Sequence, residues 1–306
     1  MSNITATMVK DLRDKTGAGM MDCKAALNET AGDMEAAIDW LRKKGLSKAA
    51  KKAGRVAAEG LIGVVSNGDV GALVEVNAET DFVARNDEFK EFVKDAANAA
   101  LKAEGDLEKL LAHPAAEGSM KDRLTALVAK IGENMSVRRA VLLGVSEGVV
   151  ASYIHNAAAA ELGKIGVLVA MKSSADKDKL GALGKQIAMH IAAASPLALT
   201  PEHLAPEVVE RERNIQADIA RQSGKPENVI EKMMEGRMRK FYEEAVLLSQ
   251  IFVIDGETSI AKVLEKASKD LGAKVEIEGY VRFQVGEGIE KVESDFADEV
   301  SKMAGN

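Results

Sequence analysis

One pattern occurs twice along these 306 residues: extended runs joined by a turn, then an amphipathic helix. In the first copy the extended runs cover residues 61–66 and 70–77 around Asn67-Gly68-Asp69, a sequence suited to a tight hairpin. The helix that follows spans residues 87–102, with Phe89, Phe92, Val93 and Ala96 at helical spacing. In the second copy, about 90 residues further on, extended runs at 137–145, 149–155 and 165–172 precede a helix over 176–194. A hairpin must bury one face and an amphipathic helix one stripe, so each copy predicts a helix-on-sheet layer. Two such layers side by side make an α+β core of two related subdomains with antiparallel strands. Shorter helices are predicted at 107–112 and 119–131, around the breaker His113-Pro114.

Three short helical patterns precede this core. Their apolar positions are Met8, Val9 and Leu12, then Met21, Ala25 and Leu27, then Ala37, Ile38 and Leu41. Gly17, Gly32 and Gly45 follow these runs and read as helix stops, while Asp33 is placed to cap the third helix. The expectation is a compact three-helix domain with Trp40 in its core. Lys43, Lys44, Lys48, Lys51, Lys52 and Arg55 come next, interleaved with alanines. They read either as a solvated connector helix or as an anion or RNA patch.

Beyond the second copy, residues 195–206 hold three of the five prolines and mark a subdomain boundary. Two charged helices over 207–222 and 228–248, joined through Ser223-Gly224-Lys225-Pro226, predict a helical-hairpin arm. Strands at 250–254 and 274–284 flank a helix at 259–271, and a final helix at 291–303 closes the chain. The division is a three-helix domain over 1–55 and core subdomains over 56–145 and 146–284, the latter including the hairpin 207–248. A C-terminal helical module covers 285–306.

Composition removes several function classes. The formal net charge of -7 argues against nucleic acid as the main partner, because phosphate binding wants a basic face. A single cysteine, Cys23, forbids an internal disulfide framework and fits a reducing compartment. No run of about 18 apolar residues suggests a membrane span, and nothing resembles a secretory signal, so the expected location is cytoplasmic. Gly-Lys pairs begin at Gly163, Gly184 and Gly224, but Ile165, Gln186 and Pro226 follow instead of the hydroxyl that a phosphate loop places on Mg²⁺. His113, His155, His190 and His203 show no metal-ligand spacing. The expectation is a non-enzyme without cofactor or metal. A scaffold or RNA-associated protein using residues 43–55, or a metal-free hydrolase, are the other classes.

Two segments stand out physically. Around Gly17-Ala18-Gly19, the pair Met20-Met21 leaves at least one adaptable apolar side chain near the surface, suited to protein contacts or to core packing. In Glu75-Val76-Asn77-Ala78-Glu79-Thr80-Asp81-Phe82-Val83-Ala84-Arg85-Asn86, Phe82 falls in a loop or short helical turn beside Asp81. It is either tucked back as a staple or presented to a partner.

These two segments, with Ile187-Ala188-Met189-His190, Gln222-Ser223-Gly224-Lys225-Pro226, Glu235-Gly236-Arg237-Met238 and the run from Val285 to Glu293, resemble the bacterial elongation factor Ts family over nearly the whole chain. The resemblance implies that the three-helix domain is ubiquitin-associated-like. It also implies a translation factor that binds the GTPase elongation factor Tu, displaces Mg²⁺ and promotes GDP release so that GTP can bind. Carried over, Thr80, Asp81, Phe82 and Val83 form the loop that enters near the partner's Mg²⁺, with His155 serving the same contact. Arg13, Met20 and Met21 match residues that touch the GTPase domain. A dimer or a two-to-two complex is left open. One departure stands out: residues 156–164 after His155 are longer than the short glycine-rich link expected for the family.

Overall fold

The computed structural model describes residues 4–16, 18–116, 118–222 and 226–290. The Gly17 stop, the Ser223-Gly224-Lys225 turn and the final helix with most of the 285–306 module lie outside the described residues.

Helices α1 (Ala6–Thr16), α2 (Met20–Glu29) and α3 (Met34–Lys52) form the N-terminal unit. Val9, Leu12, Cys23, Ala26, Leu27 and Ala37 are its buried centre, with Trp40 packed against it. The buried stripe of α2 is therefore Cys23, Ala26 and Leu27, and Met21 points outward instead of joining Leu27. Asp33 caps α3 as expected, accepting from the Ala36 N–H at 2.9 Å.

Gly45 does not stop α3. The helix runs through it to Lys52, and a Cβ at Gly45 would stand 3.2 Å from the Cβ of Ala129. The glycine thus permits the close approach of α3 to α7 (Met120–Ile131). A packing contact, not a turn, explains its presence there.

The core is one antiparallel sheet bent into two wings. Strands β1 (Glu59–Asn67), β2 (Val70–Ala78) and β3 (Met135–Gly144) form the first, with β2 central. Strands β4 (Gly148–Ala159), β5 (Leu162–Lys172) and β6 (Glu276–Gln284) form the second, with β5 central. The wings join at two residue pairs, Ile62↔Gly163 and Gly63↔Leu162. They then face each other: Ile62, Val64 and Leu73 pack against Val150, Leu168, Ala170 and Phe283. Gly166 sits in this layer, where a Cβ would lie 2.6 Å from Ile62 Cγ2.

Helices cover the outer faces. On the first wing, α5 (Asp87–Lys102) buries Phe89, Phe92, Val93 and Ala96 beside α6 (Leu107–Ala112) and α7. On the second, α8 (Lys177–Ala194) and α11 (Ile260–Leu271) cover Val167, Val169 and Met171. The paired pattern in the sequence is real, and β3 closes the first wing rather than opening the second.

Two other expectations change. Residues 250–254 are no strand: only an isolated bridge joins Ile251 to Ser259, and of the hydrophobic side chains Phe252 alone is buried while Ile251, Val253 and Ile254 are exposed. Residues 156–164 are no long loop either, because β4 and β5 continue their ladder to Ala159↔Leu162 and close the turn within two residues. Asn156 and Glu161, at φ 51 and 64, supply the left-handed conformations that bend this hairpin.

The arm comprises α9 (Pro206–Arg221) and α10 (Glu227–Ala245), linked across by Arg237 Nη1 donating to Gln216 Oε1 at 2.8 Å. Its base is tied to α8 by buried His190. The ring Nδ1 accepts from the Val253 N–H at 3.3 Å, and Nε2 lies 2.9 Å from Gln250 Oε1. Gln250 in turn donates to Glu244 O at 2.6 Å.

The first wing contains one fully buried carboxylate, Glu75. It accepts from Arg138 Nη1 at 3.2 Å, Arg139 Nε at 2.5 Å, Asn77 Nδ2 at 3.0 Å and the Gly286 N–H at 2.8 Å. Burial alone would raise its pKa. The hydrogen bonds from Gly286, Asn77 and Arg139 outweigh that and hold it below the usual carboxylate value.

Two stability predictions follow from these buried groups. Glu75→Ala leaves the arginines facing an apolar layer and costs about 3–5 kcal/mol in urea unfolding. His190 carries a pKa lowered by burial, and Nδ1 cannot both accept from Val253 and carry a proton. The unfolded chain takes up that proton below about pH 6.5 while the folded chain resists. The stability advantage of the native chain over His190→Gln is therefore full above that pH and shrinks on acidification to pH 5.5.

Candidate functional site

Strand β2 ends at Ala78, and helix α4 (Asp81–Arg85) begins after two further residues. Thr80 is extended at φ -126, ψ 160 and makes no side-chain cap to the helix. Asn86 is extended at φ -68, ψ 131, ending α4 and capping α5 through the Phe89 N–H at 3.1 Å. Five residues cannot sustain a helix alone, so packing sets the orientation of α4.

That packing is one-sided. Val83 and Ala84 join the apolar core of the first wing, each 4 % exposed. Successive helical residues point about 100° apart, so burying these two turns their neighbours outward. Phe82 is 73 % exposed. The Arg85 guanidinium stands 5.9 Å from the centre of the Phe82 ring and pairs with Asp81 at 3.0 Å. The site is an apolar ring flanked by an ion pair, raised on a stub with a buried root.

Glu133, in the turn between α7 and β3, holds the stub from behind. Its carboxylate accepts from the Thr80 N–H at 3.0 Å and from Thr80 Oγ1 at 2.8 Å. Glu79 makes the reciprocal link, accepting from the Asn134 N–H at 2.5 Å and pairing with Arg55 at 3.4 Å.

His155 is exposed on the second wing, opposite Ile165 in the β4–β5 ladder, with Nδ1 3.2 Å from the Tyr153 hydroxyl. Lys164, beside that rung, reaches Glu59 Oε2 at 3.0 Å and Gly60 O at 3.1 Å. Glu59 pairs with Ala78, two residues before Thr80, so His155 and the Phe82 stub occupy the same end of β1. Arg13, Met20 and Met21 are exposed on the N-terminal unit, the methionines at 57 % and 76 %.

Three of the basic residues of 43–55 make contacts within the protein. Lys44 pairs with Asp22 at 3.2 Å and lies over the Trp40 ring, Lys52 donates to Gly132 O, and Arg55 meets Glu79. Cys23 is fully buried, and burial raises its thiol pKa. Among the described residues no three histidine, cysteine or carboxylate side chains converge on a metal position, and no helix is long and apolar enough to cross a membrane.

Two residues of this site were not singled out from sequence. Arg85 carried a usable signal, since it lies four residues after Asp81 on a helical turn. Glu133 carried none, because its contact with Thr80 spans 53 positions.

The family model described as Elongation factor TS matches residues 79–287. The chain is 61 % identical over 306 residues to the elongation factor Ts of Parvibaculum lavamentivorans, covering 99 % of each. It is 62 % identical over 304 residues to that of Rhodospirillum rubrum, covering 98 % of each. With that of Rhodospirillum centenum it shares 60 % over 307 residues and the full length of both chains.

The geometry separates two neighbouring residues of the stub. Phe82→Ala changes unfolding free energy by no more than about 0.5 kcal/mol, as an exposed position should. Val83→Ala costs about 1–2 kcal/mol, from lost burial and the space left behind. Chemical denaturation of the two variants checks this contrast.

Proposed function

The chain belongs to the elongation factor Ts family and is on that ground a translation elongation factor, and we propose that it binds GDP-bound elongation factor Tu and drives nucleotide release. It performs no covalent step and acts in the cytoplasm. The observation that carries this reading is the exposed Phe82 on a stub rooted by Val83 and Ala84.

A GTPase holds its nucleotide through loop N–H groups and a Mg²⁺ that bridges phosphate oxygens. Mg²⁺ demands near-ideal octahedral geometry, so small displacements of its ligands weaken it sharply. Phe82 enters an apolar gap between elements of the partner and shifts those that hold the metal. Burying the ring supplies about 1.5–3 kcal/mol, and the rest of the interface must supply the remainder. Asp81 and His155 steer the insertion. Thr80 and Val83 keep the stub aimed, and Arg13, Met20 and Met21 provide a second foothold on the GTPase domain.

Thermodynamic linkage gives the direction of the cycle. A factor that weakens nucleotide binding must itself be weakened by nucleotide in the same ratio, so incoming GTP expels it. The factor is regenerated unchanged. On this reading residues 1–55, the two core subdomains 56–145 and 146–284, and the 285–306 module act as its working units.

Release of labelled GDP from elongation factor Tu is the direct test. The native chain accelerates release, and Phe82→Ala lowers the rate at saturating factor. An unchanged saturated rate in that variant would remove the wedge from the account.

A further inference from the structure

We propose that Glu133 is a positioning residue for nucleotide release, and that the turn carrying it sets the aim of Phe82 and the seat of the N-terminal unit together. This deepens the exchange reading above and rests on it.

Helix α4 depends on its neighbours for its direction. It is too short to direct itself, and Thr80 at its start makes no cap to it. Both polar groups of Thr80 instead go to one carboxylate, the N–H to Glu133 Oε2 and the hydroxyl to Oε1. Two hydrogen bonds to a single carboxylate fix the orientation of Thr80 as well as its distance. Asp81 and Phe82 are the next residues along. The buried root stops the stub from leaving the core, and Glu133 stops it from rotating about that root.

The same turn grips the N-terminal unit. Gly132 O accepts from Lys52 in the last turn of α3. Asn134 Nδ2 donates to Arg55 O at 2.7 Å, and the Asn134 N–H goes to Glu79, which also pairs with Arg55. Residues 132–134 therefore hold the end of the helix that carries the three-helix unit on one side and the Phe82 stub on the other. Contact energy won by Met20 and Met21 is transmitted to a base that Phe82 shares.

The test compares GDP release from elongation factor Tu across a concentration series of the factor for the native chain, Glu133→Ala, Glu133→Gln, Phe82→Ala and the double variant Phe82→Ala/Glu133→Ala. Glutamine can still accept from the Thr80 N–H while donating to its hydroxyl, so it retains both links. Glu133→Ala lowers the saturated rate roughly tenfold, the scale of one lost charge-assisted hydrogen bond, with the half-saturating concentration within about twofold. Glu133→Gln restores most of the rate. Adding Phe82→Ala to Glu133→Ala costs much less than it costs the native chain, because a misaimed ring has little left to lose.

A native saturated rate in Glu133→Ala, equal loss in Glu133→Gln, or fully multiplicative effects in the double variant overturns the proposal. If Glu133→Ala fails to fold by thermal unfolding, Thr80→Val removes the hydroxyl link alone and must reproduce the loss in saturated rate. Absence of acceleration by the native chain sinks the exchange reading and this inference with it, whereas no effect of Phe82→Ala removes the wedge and, with it, the positioning. Failure confined to Glu133 and Thr80 sinks only the positioning.

Discussion

A carboxylate with no exposed surface organises the core of this protein. Glu75 lies on the face of β2 that looks toward the second wing, where the neighbouring layer is Ile62, Val64 and Leu73. An unpaired charge there would cost several kcal/mol, so its partners are obligatory. They come from three places: Arg138 and Arg139 on β3, Asn77 on β2 itself and the Gly286 backbone beyond β6. Arg139 also lies 4.1 Å from the Phe283 ring centre, part of the apolar layer between the wings. One ionised group thus fixes the register of β2 against β3 and docks the end of β6 onto the first wing.

The exposed site inherits its precision from this anchored strand. β2 runs from Glu75 to Ala78 before the chain enters the Thr80 stub, and a strand that cannot slip delivers the stub to one place. What lies beyond is held by few contacts, but each is specific: Val83 and Ala84 inward, Thr80 to Glu133, Asp81 to Arg85. A rigid root with an exposed apolar tip suits insertion, because little conformational entropy remains to be lost on binding. The arm follows the same plan at the other wing, where His190, Gln250 and Glu244 O form a buried polar chain at its base.

Much of the architecture could be read in advance because it depends on local periodicity. The hairpin at Asn67-Gly68-Asp69, the α5 stripe of Phe89, Phe92 and Val93, and the Asp33 cap all rest on residues within a few positions of one another. Errors fell where local pattern and packing disagree. Gly45 reads as a stop, yet it is the space that lets α3 meet Ala129. Met21 fits the apolar stripe of α2 but is turned outward by the burial of Cys23, Ala26 and Leu27. Ile251, Val253 and Ile254 have strand propensity, but no neighbouring strand accompanies them.

The amino-acid order alone determined the α+β class, the two hairpin-and-helix copies, the helical arm and the unusual run from Glu75 to Asn86, through which the family was already visible. Whether Phe82 is tucked in or presented was undecidable at that level, since one residue in a short turn has no periodicity to place it. The tertiary structure decided it by burying Val83 and Ala84, which leaves Phe82 only the outward direction. The folding of the two wings onto each other and the Glu133 hold on Thr80 were likewise settled only in three dimensions. Contacts between positions 53 or 211 residues apart leave no trace in local spacing; they exist because burial brings distant polar groups together and obliges them to pair.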